Sequence, residues 1–304
     1  MTPWPSLACP SCGTPISIDE RGGVCVGCGA AYPLEDGILR LLSAPSGSPA
    51  YDPHYFETLP RVEERHFWFV ARREVVLAAL RQAVPDLASR PLFDVGCGSG
   101  GLLRYLEGQG VPVSGACDAY PEALRIARSR CAAPLALVDE GRSPPLAPGQ
   151  RLVGLFDVLE HIDDDVLTLT QLASVLEPGG VLALTVPAHP VLFDEADVLA
   201  HHRRRYTRPE LARKLRSAGF EVRTLSHFMA ALVPAVYVGR RIARMMGLGG
   251  GSAASRRDAE LGVVPVLNGV LLSLLRAERW LSRAISLPFG SSLVAIAARP
   301  GKGP

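Results

Sequence analysis

Lysine is almost missing from this chain: Lys214 and Lys302 are the only two, so the positive charge is nearly all arginine. The formal net charge is only +2. No extended basic stripe with interleaved aromatics accompanies the arginines, which argues against a dedicated nucleic-acid binder. Arginine bias alone identifies no partner. Long apolar runs are missing too. The two longest, Phe228 to Gly239 and Leu261 to Leu275, are interrupted by Pro234 and by Pro265 and Asn268. Both fall short of the roughly 20 residues that a membrane-spanning helix requires. The first residues show no basic segment followed by an apolar core, so no signal peptide is expected. The protein is predicted to be cytoplasmic.

What is present suffices for a real core, with 304 residues of which 48% are hydrophobic. That length fits one sizeable α/β domain plus something small. Of the 7 cysteines, Cys97, Cys117 and Cys131 are scattered through apolar sequence and read as small core residues. The other four form two C-x-x-C knuckles, Cys9/Cys12 and Cys25/Cys28. Two tight turns at that spacing present four thiolates tetrahedrally, which predicts a closed structural zinc site. Two disulfides are the bland alternative, and the expected reducing compartment disfavours them. Ser43 to Pro49, rich in serine, glycine and proline, reads as a linker.

The central signal is Phe93-Asp94-Val95-Gly96-Cys97-Gly98-Ser99-Gly100-Gly101. A short apolar strand from Pro91 to Val95 gives way to a helix opening at Leu102, with glycines at the turn where a ligand can approach the backbone. Gly96, Gly98 and Gly101 also satisfy the dinucleotide fingerprint, so the loop alone leaves a nicotinamide enzyme open. A second strand, Val111 to Asp118, ends in a carboxylate placed to accept ribose hydroxyls. A helix from Pro121 to Arg130 and a strand from Pro134 to Val138 follow, closing on Asp139. The fourth strand, Arg151 to Val158, leads into Leu159-Glu160-His161-Ile162. Glu177-Pro178-Gly179-Gly180 reads as a turn before the strand Val181 to Val186. The alternation predicts a mostly parallel sheet with ligands at the carboxyl ends of its strands.

Taken in order, D-V-G-C-G-S-G, the acid after strand two, D-V-L-E-H-I and L-E-P-G-G before a strand ending V-P resemble the motif set of class I S-adenosylmethionine-dependent methyltransferases. The resemblance spans roughly residues 64 to 228. It implies a Rossmann-like sheet of seven strands, mostly parallel with an antiparallel last strand. It also implies S-adenosyl-L-methionine as cofactor, over Gly96, Gly98 and Gly100 with Asp94 beneath the loop. Asp118 would hold the ribose, Asp139 would approach the adenine, and Asp157 and His161 would line the cofactor and acceptor side. His161 could instead cap the next helix.

The first 42 residues resemble the zinc ribbons that accompany some methyltransferases, including certain bacterial rRNA guanine methyltransferases, down to the closing Tyr32-Pro33-Leu34-Glu35-Asp36-Gly37-Ile38 run. The expected organisation is a zinc ribbon at 1–44, a linker and helices at 45–90, and a methyltransferase domain at 91–304 with a helical insert at about 229–290.

The acceptor is less legible. His189, Asp194 and Asp197 follow the fifth strand, and His201 to Thr207 resembles an H-x-R-R-Y-T element of a bacterial subgroup, with His202, Arg204, Arg205 and Tyr206 on the matching positions. His66-Phe67-Trp68-Phe69 and Arg72 resemble that subgroup's H-F-W-F-x-x-R. His161, His202 and Tyr206 are therefore the candidate catalytic residues. The arginines either recognise an anionic acceptor or pair with nearby acids.

In the insert, a helix from about Val266 to Ile285 places Leu267, Leu271, Leu274 and Leu281 on one face and Arg276, Arg279 and Arg283 on another. Arg240, Arg241 and Arg244 end an earlier apolar helix. This region reads as a lid or dimer surface, with peripheral contact at the inner membrane face as the alternative. The leading expectation is methyl transfer to a small-molecule or lipid-linked acceptor, at oxygen. The alternatives are an RNA methyltransferase using the ribbon as a substrate module, a non-catalytic cofactor-binding scaffold, and an NAD-dependent oxidoreductase.

Overall fold

A computed structural model describes residues 4–42, 53–139, 144–234, 264–282, 285 and 287–301. The linker Ser43 to Pro49 and the insert residues Arg240, Arg241, Arg244 and Arg283 lie outside the described residues.

The N-terminal segment folds as four short strands: β1 (Ile16–Asp19), β2 (Gly22–Cys25), β3 (Ala31–Glu35) and β4 (Ile38–Leu41). They pair as successive antiparallel neighbours. Seven more strands follow: β5 (Leu92–Val95), β6 (Val113–Asp118), β7 (Leu135–Val138), β8 (Gln150–Phe156), β9 (Leu176–Pro187), β10 (Glu221–Phe228) and β11 (Ser292–Ala298). All eleven form one sheet in the order β1-β2-β3-β4-β7-β6-β5-β8-β9-β11-β10. The expectation of a seven-stranded sheet is therefore corrected. β4 pairs in parallel with β7, Ile38 opposite Leu135 and Leu41 opposite Val138, so the N-terminal segment covers an edge that would otherwise present unpaired backbone. Leu39 and Leu41 are buried in one core with Phe93 and Ala136.

β5 pairs in parallel with β6 on one side and β8 on the other. The chain thus winds outward through β6 and β7 and returns to the opposite side of β5, creating a topological switch point where ligands bind in such sheets. β11 runs antiparallel to both β9 and β10. Every residue of β11 is buried, as is every residue from Gly180 to Pro187, and their near-continuous apolar sequence reflects cover on both faces. Glu177 to Gly180, expected as a turn, lies inside the long strand β9. The irregularity there is a register shift opposite Gln150 and Leu152, with Gly179 at φ 79°.

Helices α1 (Pro53–Arg65) and α2 (Phe67–Ala83) precede the glycine loop, with His66 capping α2 by accepting from the Trp68 amide. α3 (Gly101–Gly108), α4 (Pro121–Arg128), α5 (Asp165–Val175), α6 (Glu195–Leu199) and α7 (Arg208–Ser217) connect the strands. α7 starts with the Thr207/Glu210 capping box.

α8 (Pro265–Leu281) is shorter than the expected 266–285, and its buried contact is Leu275, packed with Leu77 and Leu80 of α2. Leu267, Leu274 and Leu281, which periodicity places on one face with Leu271, are exposed. Asn268 fixes the helix against α2, accepting from the Phe67 amide at 2.7 Å and donating to the Arg65 carbonyl at 2.8 Å. Arg276 and Arg279 both pair with Glu74 of α2, at 2.7 and 3.3 Å, so they serve this packing and are not a free basic face for a membrane. Among the described residues no helix is long and apolar enough to cross a membrane.

Candidate cofactor and acceptor site

The loop after β5 depends on glycine at two places for different reasons. Gly96 has φ 78°, and a Cβ there would stand 2.4 Å from Val158 Cγ2. Gly98 has φ 55°, and a Cβ there would meet nothing within 4 Å, so its face is open to a ligand. The Gly98 amide donates to Asp118 Oδ2 at 2.7 Å, and the Tyr120 amide donates to Asp118 Oδ1 at 2.9 Å. Asp118 therefore anchors the loop at the end of β6, where a carboxylate is the kind of acceptor that a ligand's hydroxyls need.

Asp94, on β5 beneath the loop, is buried. Burial pushes its carboxyl up to about 7, the Asp118 charge adds to this, and Arg72 opposes it. Arg72 of α2 is ion-paired with Asp157, which follows β8 in a left-handed conformation, φ 54°. Asp139 follows β7 on the same side of the sheet. An open glycine face flanked by strand-end carboxylates fits an adenosine cofactor with a charged amino-acid end.

One supporting cluster escaped the sequence reading. Glu63 of α1 accepts from Ser99 Oγ at 2.6 Å and pairs with Arg130 at 2.5 Å, while Arg130 also donates to the Ser99 carbonyl at 3.2 Å. It clamps the loop from above. Glu63 lies 36 residues from Ser99 in the chain, and no local pattern marks it.

On the acceptor side, Leu159–His161 forms a 3-10 turn after β8. Glu160 is fully buried, and neither of its oxygens has a hydrogen-bond partner among the described residues. Burial holds its carboxyl well above the ordinary range, and Asp157 reinforces this. His161 is pulled down to about 4 by burial and by His202, whose ring centroid lies 4.9 Å away. It does not cap α5, because Asp164 does so by accepting from the Leu167 amide.

His202 Nδ1 lies 2.8 Å from Asp197 Oδ1, and its Nε2 stands 3.9 Å from Glu160 Oε1. Asp197 is buried, which raises its pKa, but hydrogen bonds from His202 and Arg205 outweigh this and bring it down to about 2. It also closes a capping box on α6 with Asp194. Both aspartates therefore hold the fold together.

One expectation is corrected here. Tyr206 is fully buried, its hydroxyl donating to Asp165 Oδ2 at 2.9 Å and lying 3.2 Å from the Leu159 carbonyl, and burial holds the phenol far above its usual pKa. It braces the core and cannot meet an acceptor. Of the two readings open for the adjacent arginines, the structure has the pairing with nearby acids. Arg203 pairs with Asp163 at 2.5 Å, Arg204 with Asp165 at 3.3 Å and Arg205 with Asp197 at 2.8 Å.

A second histidine pair joins the same end of the sheet. His189, after β9 at φ 60°, stacks on His227 of β10 with centroids 5.2 Å apart and rings 5° from parallel. Both Nε2 atoms lack a hydrogen-bond partner among the described residues. His227, pulled below its usual pKa by burial, had no sequence signal because it sits within an ordinary strand.

Apart from this site, the sulfur atoms of Cys9, Cys12, Cys25 and Cys28 lie within 4.8 Å of one another, and all seven cysteines are free. The Cys28 amide donates to Cys25 Sγ and Thr14 Oγ1 lies 2.9 Å from it, drawing that thiol down to about 5. Four convergent sulfurs, one of them already favouring the thiolate, fit a tetrahedral ion such as zinc.

A family model described as a methyltransferase domain matches residues 63–225. The ubiquinone biosynthesis O-methyltransferase of Xanthomonas euvesicatoria pv. vesicatoria (strain 85-10) is 32% identical over 160 residues, covering 46% of this chain and 66% of that protein. The chain thus spans about two thirds of that relative's length. A Mycolicibacterium smegmatis (strain ATCC 700084 / mc(2)155) protein named a probable S-adenosylmethionine-dependent methyltransferase is 31% identical over 180 residues, covering 57% of this chain and 67% of that protein. Among solved structures, the complex between the Haloferax volcanii Trm112 methyltransferase activator and a methyltransferase matches with TM-score 0.50 and 18% identity. It covers 83% of this chain and 96% of that one, and carries the likeness of fold.

Proposed function

The chain belongs to the methyltransferase-domain family matched over residues 63–225, and on that premise we propose that it methylates a hydroxyl oxygen of a small-molecule or lipid-linked acceptor. The observation that carries the reading is the open face of Gly98 tied to Asp118, with His161 and His202 gathered at the neighbouring strand end. The 32% identical relative named as an O-methyltransferase supports oxygen as the receiving atom.

When bound, S-adenosylmethionine supplies a methyl on a positively charged sulfur, open to in-line displacement. The loop from Gly96 to Gly100 and Asp118 would hold the cofactor, with Asp118 on the ribose, Asp94 beneath the loop, and Asp139 toward the adenine. Asp157, joined to Arg72 as a pair, would line the cofactor and acceptor side. Displacement needs alignment above all. A hydroxyl must also lose its proton, and a neutral imidazole can take it. His161, pulled to about 4, is neutral at physiological pH, and His202 is oriented by Asp197.

In the same reading the four cysteines hold a structural zinc ion in a ribbon that completes the sheet edge through β4. The test is methyl transfer from labelled S-adenosylmethionine to a panel of small hydroxylated acceptors. Transfer to hydroxyls that His161→Ala lowers by about 100-fold supports the reading, and transfer confined to amines or RNA overturns it.

A further inference from the structure

Glu160, His161 and His202 each offer a ligand atom, and these atoms lie within 4.8 Å of one another. Glu160 and His161 are neighbours on the turn after β8, whereas His202 arrives from the loop after α6, so the fold alone brings them together. Three features separate this cluster from an ordinary polar patch.

The first is Glu160, a fully buried carboxyl with both oxygens lacking a hydrogen-bond partner among the described residues. Leaving such a group unsatisfied in an apolar interior is costly, and more so when it is charged. Arg72 and Arg205 relieve it only in part, because Arg72 is paired with Asp157 and Arg205 with Asp197.

The second is the state of the rings. His161 Nδ1 lies 3.3 Å from the His201 carbonyl, which can only accept, and His202 Nδ1 lies 2.8 Å from Asp197 Oδ1. Each Nδ1 therefore carries the proton, and each Nε2 keeps its lone pair. The third is Asp197. Already engaged by Arg205 and by the Asp194 amide, it is not a ligand but the outer partner that orients His202, an arrangement that recurs behind metal-bound histidines.

We propose that Glu160, His161 and His202 bind one divalent transition-metal ion, separate from the cysteine site. Two imidazoles and one carboxylate suit zinc, cobalt, iron(II) or manganese, and leave coordination positions open. With the ion bound, both Nε2 lone pairs are committed to it, so the metal would take the place of a free imidazole: an acceptor hydroxyl at an open position would release its proton more readily, to solvent water. That role rests on the proposed hydroxyl methylation, while binding of the metal does not.

The test is a Co2+ titration of full-length protein carrying one Zn2+ per chain, enough for the four cysteines alone, followed by visible absorption. One Co2+ per chain is expected, with a weak d–d band and no near-ultraviolet thiolate band. His202→Ala and Glu160→Gln should each weaken binding at least about tenfold, in line with loss of a ligand. Retained S-adenosylhomocysteine binding by Glu160→Gln would show that the variant is folded. Absence of Co2+ binding, a band arising only from thiolates, or affinity unchanged in both variants would overturn the site. Hydroxyl methylation by a protein that binds no Co2+ would also overturn it and leave the proposed function standing. Co2+ binding without any hydroxyl methylation would do the reverse.

Discussion

The Gly98 amide donates to Asp118 Oδ2 at 2.7 Å, so the glycine loop and the end of β6 are held as one piece before any ligand arrives. Asp118 shapes the loop, and in the proposed function it also faces the ribose. Asp118→Ala should weaken S-adenosylhomocysteine binding by about 10- to 100-fold, as expected for losing hydrogen bonds to a charged group. Asp118→Asn keeps one acceptor oxygen and should lose less. Isothermal titration of the two variants measures the difference, and unchanged affinity in Asp118→Ala would refute the assignment.

Gly96 has both a left-handed backbone and no room for a side chain. Gly96→Ala should destabilise the protein by about 2 kcal/mol from the conformation alone, with more from the contact with Val158. Adding Val158→Ala should recover part of the loss, because it removes the atoms that a Cβ would strike. Denaturant unfolding of the single and double variants reads the coupling.

Glu63 and Arg130 form a largely buried pair over Ser99. Removing one partner of such a pair typically costs about 3 kcal/mol or more, because the other charge is left without compensation. Glu63→Gln should therefore lower stability and loosen the loop, and Arg130→Met alone should do likewise. The double variant should be less damaging than the two losses added together, as a thermal-melt cycle would show.

Asp94 gives a pH signature with a definite sign. Its folded carboxyl sits near 7, above the unfolded value of 3.8, so the folded state holds the proton more tightly. Its contribution is fully present below about pH 4 and is lost as pH rises toward 7, at no more than about 1.4 kcal/mol per pH unit. Asp197 behaves oppositely, favouring the fold above 3.8 and losing that support as pH falls toward 2. In the cofactor-free protein, Asp94→Asn should flatten the stability slope between pH 4 and 7 and leave the acid limb intact. An unchanged slope would remove Asp94 as its source.

The four-cysteine segment contributes a strand to the central sheet, so its state should be felt beyond itself. Chelation, or Cys12→Ser, should lower the melting temperature by several degrees, since metal binding to such modules is coupled to folding. Restoring zinc should reverse the effect of chelation in the wild type only. A melting temperature indifferent to chelation would argue against a structural metal.

The cofactor half of the site was readable because its residues lie at strand ends fixed by local pattern: an apolar run, a glycine turn, an acid. Asp94, Gly98 and Asp118 stand where that pattern places them, at the carboxyl ends of β5 and β6. The acceptor half was not readable in the same way. His227 sits in an unremarkable strand and becomes a site residue only by stacking on His189. The basic run Arg203 to Arg205 was open between anion recognition and ion pairing, because sequence cannot show that Asp163, Asp165 and Asp197 fold back to meet it. Tyr206 had a motif's prominence and proved to be a buried brace.

By itself the sequence determined the alternation of strand and helix, the glycine turn with its acids, and the two cysteine knuckles, because each is a matter of periodicity or spacing within a few residues. Tertiary structure decided what distant residues do to one another. It placed β4 beside β7, turned Arg276 and Arg279 onto Glu74, closed Glu63 over Ser99, and brought His202 to Glu160 across a buried carboxylate's empty side. Burial and long-range pairing set those outcomes, and neither is encoded at any single position.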